Sequence, residues 1–433
     1  MLDTRTIKEQ AYALGFDTVR ITSAEAFPEV KRVIKERIAQ GLMDGLPWFT
    51  AERADVSCHP DALLPEARSI IALGMTYLTK QPEEALATEQ QSASQEYGMA
   101  HQPGPRGRIA RYAWGDDYHE IIKPKLQQFA SWLQEYAHTE LDNGLESRLF
   151  VDTGRIVDRA VAQRAGLGWY GKNTNILTKG WGSWLFLAEI VTNLVLAEDE
   201  AVKTNCGACE ICLHACPTNA LPNAYELDNR RCISYLTIEL RGSIPLELRP
   251  LMGDFIFGCD ICQEVCPVNK VAEQRLGLRG QPAGQIIAPT QVSRRKACTQ
   301  AENESTKLFQ PHQEFQARPA IGSSPELIPL LSLTEEQFRE RFRHSAIKRT
   351  KRRGLLRNVC VALGNSGDRQ AVPALSRALH DEEPLIRGHA AWALGRLAGS
   401  EALSALQAAS TTEEDEEVRD EIRYALATLN KKA

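Results

Sequence analysis

Eight of the chain's cysteines fall between Cys206 and Cys266, and their spacing defines a chemistry. Cys206, Cys209, Cys212 and Cys216, closed by Pro217, spell C-x-x-C-x-x-C-x-x-x-C-P. In iron–sulfur modules with this run, three thiolates hold one [4Fe–4S] cube and the fourth reaches a second cube. Cys259, Cys262 and Cys266 with Pro267 repeat the closing half, and Cys232, set apart by an insertion, supplies the missing ligand. The interleaved reading puts Cys206, Cys209, Cys212 and Cys266 on one cluster, and Cys216, Cys232, Cys259 and Cys262 on the other. Paired C-x-x-C is also zinc spacing, but zinc needs neither a third cysteine in register nor the C-P closure. Cys58, Cys298 and Cys360 remain, and a cysteine within a helical repeat, as Cys360 is, reads as a small buried apolar residue. Two clusters at short separation make an electron relay, and a relay needs an acceptor.

The elements around this module fall into distinct stretches. A chain of 433 residues, 43% hydrophobic and 25% charged, is long enough for several domains and too apolar to be largely disordered. An odd count of 11 cysteines argues against a simple disulfide framework. No apolar run approaches the roughly 20 residues of a membrane span, and the first residues lack the apolar stretch of a signal peptide, so a cytoplasmic protein is expected. The run SIIALGMTY from Ser69 suits a buried strand, and SRLFVDTG from Ser147 and WLFLAEIVTN from Trp184 read as strands flanking a helix that begins near Ile156. Pro82 to Arg108 is rich in Glu, Gln, Ser and Gly and reads as a surface excursion. Near the C-terminus, Arg357, Arg387 and Arg419 each precede an apolar helical face at intervals close to 30 residues, which indicates a short HEAT-type α-solenoid. The net charge of −5 places any nucleic-acid contact on a local basic surface, and Lys348, Arg349, Lys351, Arg352 and Arg353 form such a segment ahead of the first repeat helix.

GRIARYAWGDDYH (Gly107 to His119), VDTGRIVDRAVAQRAGLGWYGKNTNIL (Val151 to Leu177) and RCISYLTIE (Arg231 to Glu239) carry a resemblance. Together with the double cysteine module and KRRGLLRN they make the sequence similar, over nearly its whole length, to the epoxyqueuosine reductases, cobalamin-dependent iron–sulfur enzymes of queuosine tRNA modification. The resemblance implies an α+β multidomain chain. Residues 1–199 would form an α/β cobalamin-binding domain of reductive-dehalogenase type, and 200–270 a ferredoxin-like module with two [4Fe–4S] clusters. Residues 271–335 would be a linker that wraps the core, and 336–433 a HEAT-like solenoid with a basic edge for tRNA. It implies that cobalamin, reduced through the clusters, removes the epoxide oxygen of epoxyqueuosine at the wobble position of tRNA. Loss of that oxygen needs a proton donor, a role the resemblance gives to Asp152, kept protonated by burial against the corrin. Arg53, Ala110, Asp152, Ile176, Leu187, Ser234 and Asp260 match corrin-lining positions. The D-x-H-x-x-G signature of histidine-ligated cobalamin is broken at Ile122, so the resemblance favours a corrin with no protein imidazole under cobalt. Expected partners are tRNA and an external low-potential electron donor, with a monomer as the default state. The alternatives are a dehalogenase-like reductase of a small molecule, and a non-catalytic electron-transfer protein using the solenoid to dock.

Overall fold

The computed structural model describes residues 2–79, 104–138, 144–278, 310–319 and 321–430. The excursion expected from Pro82 lies outside the described residues as far as 103, as do Cys298 and residues 279–309 of the segment expected to wrap the core.

The N-terminal half is organised by a four-stranded sheet of β1 (Thr18–Ser23), β2 (Ser69–Thr76), β3 (Ser147–Phe150) and β4 (Leu185–Thr192), in the order β1-β2-β4-β3. Every pairing in it is antiparallel. Strand β2 is buried along its whole length because helices cover both faces of the sheet. Ile71, Leu73 and Met75 pack on one face against Ile122, Leu126 and Phe129 of helix Tyr118–Ala137. Ile70 and Ala72 pack on the other, against Ala160 and Val161 of helix Asp158–Arg164. The long helix buries Tyr118, Ile122, Leu126, Phe129, Leu133 and Ala137, steps of three and four that trace one stripe. Asp117 caps its first turn by accepting from the His119 N–H at 3.1 Å.

The cysteine module and the solenoid share one core. Ile233, Leu236, Phe255 and Phe257 from the former pack with Leu355, Val359 and Leu363 of helix Lys351–Ser366, and the same cluster runs on through Trp392 to Leu429. The repeating arginines divide their work. Arg357 is fully buried, donating through Nη1 to the carbonyls of Leu240 and Gly242 at 2.8 Å each, and through Nη2 to that of Leu236 at 2.6 Å. Its neighbour Asn358 donates to the carbonyls of Thr237 and Ile256 at 2.8 and 2.9 Å. Arg387 instead makes a bidentate pair with Glu413 at 2.7 and 2.8 Å, and Arg419 is exposed. Cys360 and Cys58 are both buried. Among the described residues no helix is long and apolar enough to cross a membrane.

Candidate functional site

A cavity of about 1400 Å³ opens between the sheet, the cysteine module and the start of the solenoid. Arg53, Ala110, Asp152, Ile176, Leu187, Ser234 and Asp260 all line it. So do Cys216, Cys232, Cys259 and Cys262, which brings one of the two sequence-derived cysteine sets to the same wall.

Asp152 sits where the chain leaves β3, in the left-handed region at φ 53°. The loop is pinned by Arg53, whose Nη2 donates to the Gly154 carbonyl at 2.8 Å. The Tyr118 hydroxyl donates to Asp152 Oδ2, and the Tyr118 ring is stacked on Phe186 at 4.3 Å between centroids. Burial, reinforced by the Asp152 charge, pushes the Tyr118 hydroxyl far above the usual phenol range, so it stays a proton-bearing donor. Asp152 itself is exposed. The protein leaves this carboxyl open to the cavity, so the cover expected from the corrin would come from an occupant of the cavity and not from the chain.

Beneath this loop lie two further acids. Asp158 lines the cavity and Glu189 is 1% exposed on β4, and both are pushed up, by burial first and then by carboxylate neighbours. Sequence reasoning missed both, although Glu189 was detectable as a charge inside the otherwise apolar run of β4. It also missed Tyr118, which lies within a quoted motif but meets Asp152 only through the fold.

On the cluster side, Asp260 is buried. Its Oδ2 accepts from the Arg111 N–H at 2.6 Å and its Oδ1 from Gln263 Nε2 at 3.0 Å, yet burial still pushes it up to about 6. Gly258, at φ 67°, lets the chain turn into Cys259 against Ala110, where a Cβ would stand 2.5 Å from the Ala110 Cβ.

The thiols fall into two neighbourhoods. Cys266, Cys206 and Cys209 lie close enough to Cys212 to raise it further after burial has done so, whereas Cys232 and Cys216 do the same for Cys259. Cys262 feels Cys259 and Cys232 most among the thiols, and Cys212 of the other group more weakly. Cys216 Sγ also accepts from the Ala220 N–H at 3.3 Å. Four thiolates brought this close need a cationic core to be stable, and so this donor set fits an iron–sulfur cluster in each neighbourhood. The cavity also fits a large cofactor, since it exceeds the roughly 300–1,000 Å³ typical of small-ligand pockets and mixes apolar wall with polar groups. No histidine is among the described residues that line it.

The basic segment is less free than its sequence suggests. Lys348 pairs with Asp117 and Glu120 at 2.9 and 2.8 Å. Arg349 lines the cavity and pairs with Glu239 at 2.8 Å. Arg352 is buried, bonded to Asp381 at 3.1 and 2.5 Å and to the Leu333 carbonyl at 2.6 Å, so it braces the solenoid and is not displayed on its edge. Lys351 is exposed, and Arg353 pairs with Glu383 at 3.7 Å.

Comparison with known proteins gives concordant findings. Residues 58–153 match the family described as epoxyqueuosine reductase QueG, DUF1730; 205–269 match the 4Fe-4S double cluster binding domain; and 324–427 match HEAT repeats. The chain is 32% identical to the epoxyqueuosine reductase of Bacillus subtilis over 422 residues, covering 97% of this chain and 94% of that protein. It is 33% identical to that of Escherichia coli over 393 residues, covering 90% and 88%. A crystal structure of epoxyqueuosine reductase with an epoxyqueuosine-modified tRNA-Tyr stem loop superposes with a TM-score of 0.79 at 31% identity, covering 99% of this chain and 98% of that one. A Bacillus subtilis structure, described as having its catalytic aspartate loop swung out of the active site, also superposes at 0.79, with 30% identity and 98% of each chain covered.

Proposed function

This chain belongs to the epoxyqueuosine reductase family, and on that premise we propose that it reduces epoxyqueuosine in the anticodon of tRNA to queuosine. The observation that carries the reading is the single cavity in which Asp152, the corrin-matching residues and the Cys216 thiol group face one another, with Arg349 also on its wall. Cobalamin, when bound there, supplies the low-valent cobalt that opens the epoxide with electrons delivered through the clusters. Arg53, Ala110, Ile176, Leu187, Ser234 and Asp260 would hold it. Cys206, Cys209, Cys212 and Cys266 would hold the outer cluster, and Cys216, Cys232, Cys259 and Cys262 the one facing the cavity.

Asp152 gives a proton to the oxygen released from the epoxide, and the Tyr118 hydroxyl then stabilises the carboxylate left behind. The tRNA is positioned through its phosphates by Lys348, Arg349, Lys351 and Arg353, while the modified nucleotide swings into the cavity. Arg352 is left out of that set because its guanidinium is already satisfied inside the solenoid. The protein acts as a cytoplasmic monomer fed by an external low-potential donor.

Anaerobic reconstitution with iron, sulfide and cobalamin, then incubation with epoxyqueuosine-containing tRNA and a low-potential reductant, tests this. Nucleoside mass analysis should show loss of one oxygen that depends on added cobalamin. Tight corrin binding with untouched tRNA would overturn the substrate, and no corrin binding would overturn the reaction.

A further inference from the structure

Turning an epoxide into an alkene breaks both carbon–oxygen bonds, forms one carbon–carbon double bond and releases the oxygen as water. The conversion takes up two electrons and two protons. The electrons arrive through the clusters from the external donor, but Asp152 carries a single proton.

A second one is stored behind it. Glu189 lies on β4 directly across from Phe150, two residues before Asp152, and points to the sheet face covered by helix Asp158–Arg164. Its carboxyl is buried, and neither oxygen has a hydrogen-bond partner among the described residues; nor does Asp158 Oδ1. The group each carboxyl reaches is the other. Two ionised carboxylates do not remain face to face in a dry site, and two acceptors become a hydrogen bond only when one proton lies between them. The charged groups facing the pair are Asp152, whose negative charge favours holding the proton, and Arg159, which acts weakly in the opposite sense on Asp158. Asp158 lines the cavity alongside Asp152, so the pair opens toward the reacting site at one end and is sealed at the other.

We propose that Asp158 and Glu189 form a one-proton acid pair that recharges Asp152, supplying the second proton of each turnover. The pair rests on the reading of Asp152 as donor and acts through it, without touching substrate. In the first transfer Asp152 loses its proton to the substrate oxygen. The proton between Asp158 and Glu189 then passes to Asp152, which gives it to the same oxygen as water departs, and the pair takes a replacement proton from solvent at the cavity end of Asp158 in the same step, so that it is never left as a lasting dianion.

The test uses the full-length, cluster- and cobalamin-loaded protein without tRNA, read by infrared absorption of the carboxylic-acid carbonyl between about pH 5 and about pH 9. The wild type should keep one protonated-carboxyl band above about pH 7, absent in Glu189→Gln and titrating at lower pH in Asp158→Asn. In single turnover, Glu189→Gln should slow reduction by about 10- to 100-fold on the alkaline side, with tRNA affinity unchanged and the proton inventory reduced from two protons to one. No such band in the wild type, or a band and pH profile indifferent to both substitutions, would overturn the proposal. A wild-type protein that shows the band but leaves epoxyqueuosine intact would instead overturn the assigned reaction.

Discussion

At the scale of single residues, the site separates two jobs that one carboxyl performs badly together. Asp152 must be reachable by substrate, and its exposure on a loop at positive φ provides that. Holding a proton near neutrality requires burial, and the fold gives this to Asp158 and Glu189. Asp152→Asn should therefore keep iron and cobalamin content while lowering the turnover rate by about 10²- to 10⁴-fold, and Tyr118→Phe should give a smaller loss, both read by nucleoside mass analysis. The buried pair also affects stability. Asp158 releases its proton near 3.8 when unfolded but near 6 when folded, so across that window the unfolded state binds fewer protons and stability falls as pH rises. Glu189 extends the fall to higher pH. Thermal unfolding followed from about pH 4 to about pH 8 should show this decline, shallower in Asp158→Asn; an equal slope would show that the pair carries no such linkage.

At the scale of elements, the cluster loops and the helix that follows Cys232 are the parts whose placement matters most. Cys232 is the N-cap of helix Ile233–Ile238, so one short element carries both the thiol proposed for the cavity-side cluster and the cavity residue Ser234. Cys232→Ala should remove the cavity-side cluster alone, halving iron and sulfide content and leaving the Cys212 group loaded; unchanged iron would show that the thiol across the insertion is not a ligand. The cysteine module was readable in the sequence because its ligands are close along the chain. The motif around Asp152 pointed to a residue that the fold places on the cavity wall. The contacts that set their chemistry were not readable. Tyr118 reaches Asp152 across 34 residues, and Glu189 finds Asp158 only because helix Asp158–Arg164 packs on the face of β4. The basic segment misled in part, since sequence shows a run of cations but not the Asp381 carboxylate that removes Arg352 from the surface.

At the scale of the whole molecule, the solenoid is bolted to the redox module. Arg357→Met would leave the carbonyls of Leu236, Leu240 and Gly242 without a buried donor and should cost about 3 kcal/mol or more. Denaturant melts should place that loss in a transition common to cluster bleaching and helix unfolding. Neutralising Lys351 and Arg353 to Gln tests the RNA side separately: tRNA binding should weaken and its logarithmic salt slope flatten by about 1 to 2, while cluster and cobalamin content hold. An unchanged slope would place the RNA elsewhere.

The shared core also governs what a damaged copy can do. A low-potential centre that has lost its substrate platform is a hazard, because its electrons go to whatever oxidant arrives. Here the helix that completes the apolar core around Phe257, Lys351–Ser366, follows the cysteine module in the chain. A chain cut short before that helix would leave the inner face of its cysteine module uncovered and should be more readily proteolysed. The fold thus ties completion of the solenoid to burial of the redox module, and quality control of one is quality control of the other.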